Sequence, residues 1–518
     1  MLRMRKLVDR WSPDVLTLFL WVKFLQFLKI IGIKPKEDGW RRTTRVYLRT
    51  EHSKFALGCF RLCLDSQDEL EEGESLDAKK KRLIDKLRKF FKSQPTVQWQ
   101  INCSWFWVQK KKKSEIDIAY VDFGQNGNLK SVTPYFDTFS GVSRLEGASD
   151  EIKDIVIKGI INSYNATKDF TDKKRPLVLK KRLKEWLKIQ LRGQSKEVKQ
   201  LAENLAERVL TSTFISFEQL DSAQKRFEVP DFIKRKHTGF GFLNIVCRLV
   251  HGNEVDLWFQ CHHVCEDGMP MQEVLQALKR KWGTYGKIKI PAACCEKPQE
   301  PRLFSSEEDG VYFAGGFISF TPFLKCIKEK NKQLTGGKKM TPFRFFIWKL
   351  GNHPVFEGKK IIIPIDLHST GARERSLGFA IIRPSIFFDN NNPQEGLANF
   401  QEEFDQQVKN TLLRKSETYE LFESYAISPP VFYALTGKIM SSALKELTGS
   451  IGVSIIDKAD MFVAPSSDIQ TDGFISLSSF FTATESGGRA CYVSAKGPKD
   501  KVKDYLAAIA EVASIEKI

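Results

Sequence analysis

The sequence predicts a mixed α/β (α+β) protein built as two lobes, on three observations. At 518 residues the chain exceeds what one hydrophobic core organises, since domains typically hold about 100–200 residues. Alternating apolar runs and helical apolar patterns mix along its whole length instead of segregating. Near the middle, residues 286–309 combine Pro291, Pro298 and Pro301 with several charges, a pattern that reads as a crossover. It divides the chain into an amphipathic amino-terminal helix (residues 1–36), an amino-terminal lobe (37–310) and a carboxy-terminal lobe (311–518).

Composition narrows the class further. A hydrophobic fraction of 42%, with 39 Phe and 10 Trp, supplies packed cores, and a charged fraction of 28% is ordinary for a globular protein. The formal net charge of +18 predicts attraction to an anionic partner: a lipid surface or a polyphosphate ligand. No helix-turn-helix, paired-cysteine finger or aromatic-plus-basic signature points to nucleic acid. The ten cysteines include no matched pair of Cys-x-x-Cys units, so neither a structural zinc site nor a secreted disulfide framework is expected, and the thiols fit a reducing, cytoplasmic compartment.

At the amino terminus, Ser12-Pro13-Asp14 is a helix opening with Ser as N-cap, Pro at the first helical position and an acid in the first turn. Residues 15–33 are apolar apart from Thr17, Lys23, Gln26 and Lys29. Two lysines near mid-bilayer would cost about 5 kcal/mol or more on insertion scales, so an in-plane anchor, or a helix docked on the protein, is expected in place of a span. The interrupting lysines also argue against a secretory signal. A second candidate for the same surface is residues 175–192. There Leu179, Leu183, Trp186, Leu187 and Leu191 recur at helical spacing among Lys180, Lys181, Arg182, Lys184 and Lys188. The leucines of residues 175–192 also suit packing on the protein core with the lysines solvated; combined with the first helix and the net charge, the reading is a protein peripheral on an anionic membrane.

Between these helices, residues 44–63 read as strand and 77–92 as helix. Residues 97–108 and 116–123 read as two strands joined by the lysine-rich turn at Lys110 to Ser114. Asp122-Phe123-Gly124 lacks the other parts of a kinase site. Residues 150–217 read as mostly helical. In the carboxy-terminal half, residues 341–350, 394–413 and 501–515 read as helices, and 360–365, 474–481 and 489–494 as strands.

The chemistry is carried by His262-His263-Val264-Cys265-Glu266-Asp267-Gly268. Residues 254–261 alternate, with Val255, Leu257, Phe259 and Cys261 on one side and Asp256, Trp258 and Gln260 on the other, so a strand delivers the histidine pair at its end. Gly268 permits a sharp turn, and Met269-Pro270 opens a helix reaching about Trp282. Function concentrates at such rigid strand ends. A metal reading lacks a third and fourth ligand.

This motif resembles that of the CoA-dependent acyltransferase superfamily, which includes chloramphenicol acetyltransferase, condensation domains, BAHD acyltransferases and wax ester synthases. Pro364-Ile365-Asp366-Leu367 and Ser376-Leu377-Gly378-Phe379 look like two later stretches of condensation and BAHD proteins. The element order, including a helix ending at Gln94-Pro95, also agrees, so the resemblance covers about residue 40 to the end. It implies two chloramphenicol acetyltransferase-like lobes with an active-site tunnel between them. Acyl transfer from a thioester needs a base to take the acceptor's proton, and histidine, with an ordinary pKa of about 6.5, suits that task. The family pattern makes His263 the base and His262 a support, while Asp267 pairs with an arginine and Gly268 allows the turn. The family's arginine after Pro-Val-Asp-Leu is replaced here by His368, which leaves Arg373 or Arg375 as the partner of Asp267. Ser478, within Ser476-Leu477-Ser478-Ser479, is the candidate oxyanion donor.

The implied activity moves an acyl group from CoA or an acyl carrier protein to a hydroxyl or amine acceptor, with no permanently bound cofactor and with a lipid among the substrates. Two alternatives stand beside it: a non-catalytic membrane-associated protein retaining the fold, and a condensation-type enzyme whose donor rides on a carrier protein.

Overall fold

A computed structural model describes residues 54–63, 75–94, 99–102, 107–110, 117–124, 127–136, 149–168, 175–220, 224–228, 230, 243–250, 254–262, 268–283, 289–295, 302–303, 312–333, 339–366, 379–382, 384, 393–413, 451–456, 461–466 and 473–516, with positions 20, 23, 24, 27 and 30–32. The chain divides into two compact units. One comprises Lys54–Gly286 with Phe304–Gly310, and the other Met1–Ser53, Lys287–Leu303 and Val311–Ile518. Both are mixed α/β.

In the Lys54–Gly286 unit, β1 (Lys54–Cys63) is followed by α1 (Leu76–Lys92), the short pair β2 (Trp99–Asn102) and β3 (Trp107–Lys110), then β4 (Ile118–Phe123) and β5 (Leu129–Tyr135). Three helices come next: α2 (Ser149–Asn165), α3 (Arg175–Gln190) and α4 (Lys196–Leu210). The unit closes with β6 (Thr213–Gln219), β7 (Leu243–Leu249), β8 (Glu254–His262) and α5 (Gly268–Trp282). Hydrogen-bonded strand neighbours within this unit run β1-β8-β7-β6-β4-β5.

The period-2 pattern of β8 sorts its residues between two covered faces. Val255, Leu257, Phe259 and Cys261 are fully buried, and the Phe259 ring meets Phe91 of α1 edge-on at 6.1 Å. Helix α1 starts where the Ser75 hydroxyl accepts the Ala78 amide and buries Leu83, Ile84, Leu87, Phe90 and Phe91, spaced to make one stripe. On the far side of the sheet Ala119 and Val121 of β4 and Phe214 of β6 form a second core with α2, α3 and α4.

Two sequence expectations change here. First, β4 does not pair with the preceding hairpin, which is β2 with β3. It pairs with β5 through a turn in which Gly127 takes φ +73° and the Gly124 amide donates to the Asn128 carbonyl at 2.8 Å. The Asn126-Gly127 step is the signal for that turn. Second, residues 213–217 are strand, as their β-branched and aromatic run Thr213-Phe214-Ile215 favours.

The Val311–Ile518 part of the other unit contains β10 (Tyr312–Ser319), α6 (Thr321–Gln333), α7 (Pro342–Gly351), β11 (Ile361–Asp366), β12 (Phe379–Ile382), α8 (Pro393–Leu412), β13 (Ile451–Ile456), β14 (Met461–Ser466), β15 (Gly473–Ala483), β16 (Arg489–Gly497) and α9 (Lys499–Ala513). Its sheet runs β12-β11-β13-β15-β16-β10-β9, where β9 is Arg302–Leu303. Phe345 to Trp348 of α7, Phe400 of α8 and Tyr505 of α9 pack with Val453, Leu477 and Val493 of the sheet in one core.

Helix α3 decides between its two readings in favour of core packing. Leu179, Leu183, Leu187 and Leu191 are buried in the core with α2 and α4, and the Trp186 indole donates to the Ile155 carbonyl at 3.1 Å. Its leucines are committed to the protein interior, while Lys181, Arg182, Lys184 and Lys188 meet solvent. Those leucines are therefore not available to a bilayer.

The α2–α3 approach depends on Gly159, where a Cβ would lie 2.5 Å from Trp186 Cδ1 and 2.9 Å from a Leu183 methyl. Gly159→Val should therefore destabilise the protein by about 1–3 kcal/mol through overpacking, read as a lowered denaturant midpoint.

Candidate active site

The motif begins on β8, whose register against β1 sets Lys54 opposite His262 and Phe55 opposite Cys261. His262 is the last residue of the strand and Gly268 the first of α5. The sequence expectation of strand before and helix after is thus met. His263 and Asp267 lie outside the described residues, between those two anchors.

The strand is held by charge. Asp256, fully buried, accepts the Arg61 amide at 2.9 Å on Oδ1 and pairs there with the Arg226 guanidinium. Arg226 also reaches Glu254 at 3.0 Å, and Glu254 pairs with Arg61 at 3.3 Å. On β7, Arg248 stands opposite Asp256; it is buried, pairs with Glu218 at 2.8 Å and donates to the Arg226 and Glu228 carbonyls. Burial pushes the Asp256 carboxyl above the ordinary carboxylate range, against the pull of Arg226, the Arg61 amide and Arg248. Arg226 itself is desolvated, yet its bonds to Asp256 and Glu254 keep its pKa above the usual arginine value.

The geometry that brings the Arg61 amide to Asp256 is irregular. Pairing of β1 with β8 shifts register between Cys59 and Leu62, and Arg61 takes φ +57°, the one positive value at a non-glycine among the described residues. A bulge of this kind re-aims a backbone group, and a left-handed arginine persists only where its surroundings hold it.

Nearer His262 the same face is polar but neutral. Asn244 of β7 donates through Nδ2 to Gln260 Oε1 at 3.2 Å, with both residues buried. Asn244 Oδ1, Ser216 Oγ and Trp258 Nε1 have no hydrogen-bond partner among the described residues. Buried polar atoms are normally satisfied. The Asp256-x-Trp258-x-Gln260 alternation contained the signal for this face, but alternation alone reads as polar residues turned to solvent. Their burial emerges only with the fold.

The remaining predicted residues fall in the other unit. Ser478 lies on β15, opposite Ile456 of β13 and Tyr492 of β16, just before the β15–β16 register shifts. Asp366 ends β11 and stands opposite Phe379, the first residue of β12. Arg373 and Arg375 lie outside the described residues. Ser454, Ser476 and Ser494 form a row across β13, β15 and β16, a register that sequence spacing does not reveal.

No family model and no curated protein sequence matches the chain. Solved structures do. A wax ester synthase/diacylglycerol acyltransferase from Marinobacter aquaeolei VT8 is 10% identical over 93% of this chain and 98% of its own, with a TM-score of 0.40. The first condensation domain of the CDA synthetase is 9% identical over 94% and 98%, with a TM-score of 0.44. A trichothecene 15-O-acetyltransferase from Fusarium sporotrichioides is 8% identical over 93% and 94%, with a TM-score of 0.43. At such identities, the chemistry must rest on the residues of this chain.

Removing one partner of a buried ion pair strands the other. Arg226→Leu should cost about 3–5 kcal/mol in urea denaturation, and the double variant Arg226→Leu/Asp256→Leu should recover a large part of that loss.

Proposed function

We propose that this chain transfers an acyl group from a thioester, carried on CoA or an acyl carrier protein, to a hydroxyl or amine acceptor, with a lipid among its substrates and His263 as the general base. The observation that carries this reading is the position of the motif: β8 ends at His262 and α5 begins at Gly268. The five residues between them, His263 and Asp267 included, are tethered at one end to a buried, ion-paired strand.

In this reading the His263 imidazole takes the acceptor's proton as its oxygen or nitrogen attacks the thioester carbon. The tetrahedral intermediate collapses by breaking the carbon–sulfur bond, and the departing thiolate receives that proton. His262 and Gly268 shape the turn. Asp267 secures it by pairing with Arg373 or Arg375, in the absence of the arginine that His368 replaces. Ser478 is the candidate donor to the intermediate's oxyanion, which would be worth several kcal/mol in a site closed to water. No permanently bound cofactor enters the scheme.

The lipid part of the proposal is supported by the net charge of +18 and by exposed apolar residues near the amino terminus. The protein is proposed to be peripheral on an anionic membrane from the cytoplasmic side. No described helix is long and apolar enough to cross a bilayer.

His263→Ala should lower transfer from a panel of acyl thioesters by about 10²–10⁴-fold, with an unchanged urea midpoint. Unaltered turnover in that variant would remove His263 from the reaction.

A further inference from the structure

Helix α5 carries a buried amide that the fold leaves without a bond. Gln272 is 1% exposed, and it is the one buried side-chain amide among the described residues whose oxygen and nitrogen both lack a hydrogen-bond partner. Its neighbours on the helix, Met271, Val274, Leu275 and Leu278, are buried and apolar. The helix packs against β1, and its far end is fixed where Trp282 meets Phe90 of α1 at 5.2 Å. Other buried polar side chains of the same unit find partners close by: Thr167 donates to the Ser163 carbonyl at 2.7 Å, Ser212 to the Arg208 carbonyl at 2.8 Å, and Asn244 to Gln260 at 3.2 Å.

A glutamine in such a place gives up its bonds to water and gains none within the protein, which native interiors rarely tolerate. A methionine would fill the same space without that loss. The position of Gln272 indicates what the amide serves. Helix α5 begins at Gly268, the last residue of the motif. Gln272 is four residues further on, so it shares a side of the helix with Gly268 and lies about 6 Å from it along the axis. Helical side chains lean toward the amino end of their helix, which here is the end that the motif joins.

We propose that Gln272 is a donor-binding residue of the acyl-transfer site, its amide bonding to the pantetheine arm that carries the acyl thioester. This rests on the acyl-transfer reading above and deepens it. The arm is the chemistry that CoA and an acyl carrier protein share. An ethylene unit separates its sulfur from the nearer of its secondary amides, so a bond to that amide holds the thioester within one short spacer of Gln272. Nε2 donates to an arm carbonyl and Oε1 accepts from an arm N–H, which satisfies both atoms of the glutamine. An ordered water is the competing occupant.

The test compares the full-length chain with its Gln272→Met variant. Because that change removes an unpaired buried amide and nearly keeps the volume, the urea midpoint should rise. Affinity for pantetheine, followed by ligand-observed NMR titration, should fall by about tenfold to a hundredfold, the worth of one or two hydrogen bonds in a closed site. The parent's preference for an acyl-CoA over the S-ethyl thioester of the same acid, which has no arm amide, should shrink by the same factor. A lowered midpoint overturns the inference, since it means that the amide is bonded within the protein. Unchanged pantetheine affinity overturns it in favour of a buried water, and a parent that binds no pantetheine overturns it outright. A parent that binds pantetheine through Gln272 yet transfers no acyl group to any hydroxyl or amine acceptor upholds the binding site and removes the acyl-transfer reading instead.

Discussion

Asp256 occupies the middle of a sheet, closed to solvent, where a solitary carboxylate would be neutralised or expelled. It remains because Arg226, Arg248 and the amide of Arg61 surround it. These groups come from β1, β7 and the segment between β6 and β7, so one carboxylate ties three distant parts of the chain to β8. Because β8 ends at His262, the placing of that residue depends on that tie. Replacing the whole cluster with hydrophobic residues could preserve stability. It would remove the acceptor toward which the backbone of Arg61 is bent.

Legibility of the fold from sequence followed how local its determinants are. Helices α1 and α7 were readable because Ser75 and Thr341 supply caps three residues ahead of the amides they accept and apolar stripes follow at once. Strand β8 was readable from its period of two. The pairing of β4 was not, because a partner is chosen by turn geometry and by sheet order. The Gly124 to Asn128 turn is short, and the nearby lysine run is the more conspicuous signal in the sequence. Helix α3 stays open in sequence for a related reason: an amphipathic pattern reports that one side is buried without saying in what, and only the packing of Leu183 and Trp186 against α2 decides.

The candidate site divides in the same way. His262, His263, Asp267 and Gly268 were visible as a motif because their spacing is local. The ion cluster and the Asn244–Gln260 pair were not, since they join residues separated by between 16 and 195 positions. Ser478 is named by analogy alone, whereas the row of Ser454, Ser476 and Ser494 depends on the register of three strands. What sequence conveys best is chemistry concentrated on one short segment. Its scaffold is dispersed along the chain.

The contact between Arg61 and Asp256 spans 195 residues. At synthesis rates of about 5–20 residues per second, β1 leaves the ribosome some ten seconds or more before β8 exists to receive it. During that interval Phe55, Leu57, Phe60 and Leu62 belong to a strand without its antiparallel neighbour, the kind of edge that invites wrong pairing. Closing so long a loop is also entropically late. The strand that ends at His262 is thus the one whose completion the nascent chain must await, and a cell producing this protein would need to shield β1 until then.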